Sequence, residues 1–201
     1  MLFALEQLRP DIARKRRRWR SLQPNLDPER LVFIYETWVK TNMAPLRGWG
    51  PKGARLRGYA PHGHWRTLTF LGALRTSGLT APCVFDGPIN GEAFLAWTRQ
   101  FLLPVLSPGD IVVMDNLGSH KGRDVRQLIR SANARLWFLP AYSPDLNPIE
   151  QTFSKIKQAM RTAQKHTIDD VILETGKIVQ SIRPSECRNY IVGAGYASTE
   201  I

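Results

Sequence analysis

"DIVVMDNL", Asp110 to Leu117, is the stretch on which the fold turns. Its apolar run, Ile111 to Met114, does not alternate with polar residues, as it would on a sheet with one wet face. Such a strand is covered on both faces, which is the habit of interior strands in α/β sheets flanked by helices. The run ends at Asp115, on the carboxyl end of the strand, where ligands of open α/β sheets bind. The competing local reading is an Asp that opens the turn into the next helix, with Asn116 sharing that task.

The flanks agree with that placement. Upstream, "NGEAFLAWTRQFLLPVL" (90–106) reads as an amphipathic helix with apolar Phe94, Leu95, Trp97, Phe101 and Leu102. Downstream, "KGRDVRQLIRSAN" (121–133) is a helix ending near Asn133, and "ARLWFLP" (134–140) is another buried strand. Further out, "LVFIYETWV" (31–39), "TLTFLGALRTSG" (67–78) and "APCVFDGPIN" (81–90) carry strand residues, with Gly78 and Pro82 marking a turn. Helices close the chain, from Ile149 to about Gln164, about Ile168 to Ile182, and Pro184 to Val192. The order of three strands, helix, strand, helix, strand and helices predicts an α/β fold with a mixed five-stranded sheet flanked by helices.

Composition limits the function. The chain has 201 residues, 43% of them apolar, enough for one substantial core. Lys and Arg number 28 against 17 Asp and Glu, a formal charge of +11 that favours a polyanionic partner. No apolar run is long enough to span a bilayer and the first residues do not resemble a signal peptide, so a cytoplasmic protein without a membrane partner is expected. Cys83 and Cys187 form no metal or disulfide pattern.

The basic residues fall in two stretches. "RPDIARKRRRWRSLQ" (9–23) is a polar helix with Arg14, Lys15, Arg16, Arg17, Arg18 and Arg20, which carry more than half of the net charge. It is either an arm on phosphates or a solvated linker, and residues 1–29 are set apart from a domain over 30–201. "PLRGWGPKGARLRGYAPHGHW" (45–65) interleaves Arg47, Lys52, Arg55 and Arg57 with Trp49, Tyr59 and Trp65, a mixture suited to phosphate contact and stacking.

The second acidic position lies in "YSPDLNPIEQTF" (142–153). Asn147 as N-cap, Pro148 at the first helical position and Glu150 three residues after the cap would form a capping box, which explains all three without catalysis. Against that, Ile149, Phe153, Ile156 and Met160 form the buried stripe of the helix, and Glu150, Lys157 and Arg161 line the stripe beside it. Asp115 and Glu150 could meet at one sheet edge and share a hard cation, Mg²⁺ or Mn²⁺. Asp86 is a weaker rival in a turn, His120 suits a helix start, and Ser119 lacks the elbow of a serine hydrolase.

"VFIYETWV", "RGWGPKG", "VVMDNLGSHK", "FLPAYSPDLNPIEQTFSKIK" and "CRNYIVGAGY" together resemble bacterial insertion-sequence transposases of the mariner superfamily, the six-thirty group. The resemblance implies a ribonuclease-H-like catalytic domain of the DDE type that cuts and joins DNA at a two-metal site. Asp115 and Glu150 match the second and third acidic residues. It also implies double-stranded DNA as partner, a homodimer, and a helix-turn-helix recognition region that is either supplied by a separate frame or lost. The first acidic position departs from the pattern. Asp-Glu-Thr-Trp is replaced by Tyr35, Glu36, Thr37 and Trp38, and alternation along the strand turns Glu36 away from the face of Tyr35. The implied function is therefore a DDE transposase impaired at Tyr35, with weakened metal binding, or an inactive DNA-binding fragment that interferes with active relatives. Arg14, Lys15, Arg16, Arg17, Arg18, Arg47, Lys52, Arg55, Arg57, Lys157 and Arg161 are the expected DNA contacts.

Overall fold

Five strands form one sheet in the order β3-β2-β1-β4-β5, with β1 Leu31–Lys40, β2 Thr67–Arg75, β3 Gly78–Asp86, β4 Ile111–Met114 and β5 Arg135–Phe138. The computed structural model describes residues 4–60, 63–115 and 122–196. β1, β2 and β3 form an antiparallel meander, while β4 runs parallel to β1 and β5 parallel to β4. This is the mixed sheet expected from the order of elements.

The helices are α1 Pro10–Leu22, α2 Gly91–Trp97, α3 Arg123–Ser131, α4 Ile149–Ala163, α5 Ile168–Ser181 and α6 Pro184–Gly193. They cover both faces, because strand alternation sends two sets of apolar side chains in opposite directions. Phe33, Phe70, Leu74 and Val113 point to one face and meet Ile149, Phe153, Ile156 and Met160 of α4, with residues of α5 and α6. Val32, Ile34, Leu71, Val112 and Met114 point to the other and meet Phe94 and Trp97 of α2 and Val125 and Ile129 of α3. The helix expected over 90–106 is α2 followed by a wider π turn, Thr98–Leu102, and a 3-10 turn at Leu103–Val105, where Pro104 cannot donate to a regular helix.

α1 packs against this domain. Trp19 is buried edge-on to Trp137, at 5.9 Å between centroids, and its indole Nε1–H donates to the Tyr196 hydroxyl at 3.1 Å. That hydroxyl in turn donates to the Leu146 carbonyl at 2.8 Å. α1 and the residue Tyr196 beyond α6 are thereby tied to the segment that leads into α4.

The expected capping box at α4 does not form. The 3-10 turn Pro144–Leu146 runs almost directly into the helix, so Pro148 takes the capping position and the Glu150 N–H donates to the backbone carbonyl of Asn147 at 3.2 Å. The Asn147 side chain is buried instead, with its Oδ1 lacking a hydrogen-bond partner among the described residues. Glu150 is released from capping and faces the site described next.

Candidate active site

Three elements bring Tyr35, Asp115 and Glu150 to one cleft of about 530 Å³. β4 lies beside β1 with Met114 opposite Ile34, so the next residue of each strand, Asp115 and Tyr35, emerge side by side. Glu150 comes from the first turn of α4, which the buried stripe Ile149, Phe153, Ile156 and Met160 presses onto the same face of the sheet. The remaining wall is the segment Leu139–Pro144, with Asn147 beneath it.

Tyr35 is fixed in this cleft by packing. Its ring lies 5.7 Å from that of Phe153, and opposite it β2 carries Gly72, where no side chain competes for space. Burial pushes its hydroxyl up to about 12, and the carboxylates of Glu150 and Asp115 add to the shift. At neutral pH the phenol keeps its proton, and it stands in the cleft beside the Glu150 carboxylate. Glu150 is itself raised above the ordinary carboxylate range, by burial first and by the charge of Asp115 second, with Tyr35 and Lys157 pulling the other way. A carboxyl whose charged form is disfavoured by burial and by a neighbouring carboxylate marks a site that would welcome positive charge.

Among the described residues no three His, Cys, Asp or Glu side chains converge to hold a metal ion. Among the described residues the donor set of the cleft is two carboxylates and a phenol that keeps its proton. Hard divalent cations take charged or carbonyl oxygens, so this set does not fit the two-ion, three-carboxylate centre implied by the resemblance. Glu36, the other acid on β1, stands on the face of Ile34, opposite Leu71.

The basic residues separate into three groups. Lys157 lies half-buried on α4 beside Glu150, with Arg161 one turn on. Burial lowers the Lys157 ammonium pKa, as does Arg161, while Glu150 opposes them. Arg47, Lys52, Arg55 and Arg57 are exposed on the connection between β1 and β2, which the Gln164 side chain ties to α4 by donating to the Tyr59 carbonyl at 3.2 Å. On α1, Arg14, Lys15, Arg17 and Arg18 are exposed but Arg16 is not. Its guanidinium donates to both Asp145 oxygens at 2.9 and 2.8 Å and to Ser143 Oγ at 2.7 Å, so the DNA contact expected of Arg16 is replaced by a structural one. A groove of about 710 Å³ between α1 and Trp137–Tyr142 includes one acid, Asp11, which is paired with Arg9. The acidic pair therefore belongs to the smaller cleft.

Sequence reasoning passed over Asp145, whose partner is more than a hundred residues away, and the surroundings of Trp38. Lys157 Nζ sits 4.3 Å and Lys40 Nζ 4.9 Å from the centroid of a Trp38 ring, and Lys40 also lies 6.0 Å from Trp65. Each exposed cation–π contact of this kind contributes about 0.5–1 kcal/mol. Asp86 ends β3 at the outer edge of the sheet, 3.9 Å from Arg66, away from the cleft. Asn116, Ser119 and His120 lie outside the described residues.

The profile of the DDE superfamily endonucleases matches residues 30–172. The chain belongs to this family. Solved structures similar to it include the Mos1 transposase paired-end complex with left transposon end, at 15% identity and TM-score 0.76, covering 97% of this chain and 62% of that one. The catalytic domain of Mos1 mariner transposase matches at 15% identity and TM-score 0.70, over 97% of this chain and 91% of that one. The mariner Mos1 paired end complex with Mg matches at 17% identity and TM-score 0.75, over 92% and 58%. At such identities the likeness speaks for the fold, which is ribonuclease-H-like. This DDE-family chain spans 62% of the first of these relatives. Curated proteins gave no sequence match. Among the described residues no helix is long and apolar enough to cross a membrane.

Proposed function

We propose that this chain is the catalytic core of a DDE transposase that acts on double-stranded DNA, with phosphodiester cleavage impaired because Tyr35 holds the first acidic position. The observation that carries this is the cleft itself. Asp115 and Glu150 line it from the strand end and helix start that the family pattern calls for, and a proton-bearing phenol fills the third place. The phenol brings no negative charge to the cleft where a third carboxylate would hold a cation. Binding of Mg²⁺ or Mn²⁺ is accordingly weak, and strand cleavage is close to background. The +11 charge and the exposed basic residues of α1 and of the β1–β2 connection support retained DNA binding. A copy that binds DNA, pairs with a second copy and does not cut would interfere with active relatives, and the protonated Tyr35 in the cleft of Asp115 and Glu150 favours this reading of its role.

The test is Tyr35→Asp, which places a third carboxylate on the Tyr35 face. Loss of a group that merely supports a metal ligand costs about 10- to 100-fold in affinity or activity, so restoring a ligand should raise Mn²⁺ affinity and plasmid nicking by at least that factor. Glu36→Gln is the control on the opposite face and should change neither. Vigorous Mg²⁺-dependent cleavage by the unmodified chain, abolished by Glu36→Gln, would refute the proposal and move the role to Glu36.

A further inference from the structure

β1 is open on one side where it passes the cleft. β4 pairs with it only through Ile34, whereas β2 pairs with it to Lys40, so among the described residues Tyr35–Lys40 has no strand partner on the β4 side. Along that edge runs a second, smaller cavity of about 180 Å³, which shares Tyr35 and Glu150 with the carboxylate cleft and adds Glu36, Thr37, Trp38, Phe153, Ser154 and Lys157. Trp38 is 45% exposed, a large aromatic ring left at the mouth of a site rather than in either core. Lys157 reaches it from α4, on one face of the sheet, and Lys40 from β1, where it shares the face of Trp38.

We infer that Trp38 is a stacking subsite for an unpaired nucleobase of the DNA strand, with Lys40 and Lys157 taking the flanking phosphates. This rests on the DNA-binding function proposed above. An indole at the surface, already attractive to cations, offers the flat π face on which bases stack, and stacking of this kind contributes about 5- to 150-fold per base. The two ammonium groups are on long flexible stems, and shifting them from the ring to a phosphate exchanges a weak contact for a stronger, charge-assisted one. Trp65, across Lys40 from Trp38, provides a second aromatic wall. The cavity accommodates one planar heterocycle. A base held there places its own nucleotide beside Tyr35 and Glu150, so the subsite orients the strand at the carboxylate cleft.

The experiment compares a fluorescent single-stranded oligonucleotide with one of equal length and charge made of abasic nucleotides, both bound to the full chain and measured by anisotropy. The base-bearing strand should bind about 5- to 100-fold more tightly, and a 2-aminopurine placed in it should be quenched on binding. Trp38→Ala should remove most of that preference and the quenching while leaving the salt dependence unchanged, and Trp38→Phe should keep part of both. Equal affinity of the unmodified chain for the two strands overturns the subsite and leaves DNA binding standing. So does unchanged preference in a folded Trp38→Ala variant. Failure of the unmodified chain to bind any DNA overturns the DNA-binding function itself.

Discussion

Replacing Arg16 by Met separates two roles that the run of basic residues on α1 conceals. Met keeps the apolar stem and removes the guanidinium, which is 7% exposed and donates to Asp145, Ser143 and the Tyr142 carbonyl. Removing one partner of a buried ion pair costs about 3–5 kcal/mol. Here Asp145 is 21% exposed and keeps Arg20 at 3.1 Å, so its charge is not stranded and the cost falls to about 2–3 kcal/mol. For a chain of this size each kcal/mol moves the midpoint by about 2–4 °C, so thermal unfolding followed by circular dichroism should show a fall of about 4–12 °C. Arg17→Ala/Arg18→Ala should leave the midpoint nearly unchanged, because both side chains are exposed. Duplex binding measured across a salt series should give the reverse pattern. Loss of two phosphate contacts flattens the slope of log K against log salt by up to about 1.8, whereas Arg16→Met leaves it unchanged. An Arg16→Met protein that melts like the parent, or that loses salt slope as the double variant does, would refute the assignment of Arg16 to the clamp.

The same clamp predicts a pH dependence. Burial pushes the Asp145 carboxyl up, but hydrogen bonds and charge from Arg16 and Arg20 outweigh it and hold it below the ordinary 3.8. Its stabilisation is therefore fully present above that value and lost as pH falls through the lowered one, so the deficit of Asp145→Asn in urea unfolding should be large at pH 7 and shrink below about pH 4; a deficit that persists undiminished in acid contradicts this. Thr152 is fully buried with no partner for its hydroxyl among the described residues, and Thr152→Val should raise the urea midpoint by an amount equal to about 1–2 kcal/mol. A lower midpoint would reveal a partner for the hydroxyl. Tyr196→Phe strands the Trp19 indole N–H and the Leu146 carbonyl and should cost about 1–3 kcal/mol, and the double variant with Trp19→Phe should cost less than the sum of the single changes, as a double-mutant cycle would show.

Much of the site was legible because its signals are local. The apolar run before Asp115, the strand character of "LVFIYETWV" and the apolar stripe of α4 each follow from neighbours within a few residues, and strand alternation alone put Tyr35 and Glu36 on opposite faces. The capping box was also a local inference, and there it misled. Asn147, Pro148 and Glu150 have the right spacing, but the 3-10 turn Pro144–Leu146 and the core contacts of Leu146 and Ile149 move the helix start by one residue and bury Asn147.

By itself the sequence determined the element order, the two-faced sheet, the strand end and helix start that carry Asp115 and Glu150, and the tyrosine at position 35 of β1, since periodicity and residue identity are properties of the chain alone. The tertiary structure decided which basic residues are free. In sequence Arg16 is indistinguishable from Arg17 and Arg18, and only the packing of α1 on the Ser143–Asp145 turn makes it an internal ion pair. It also decided that Tyr35, Asp115 and Glu150 line one cleft and that Lys40 and Lys157 converge on Trp38. Such contacts join residues far apart along the chain, and their energies depend on distance and burial, which exist only once the strands and helices have packed.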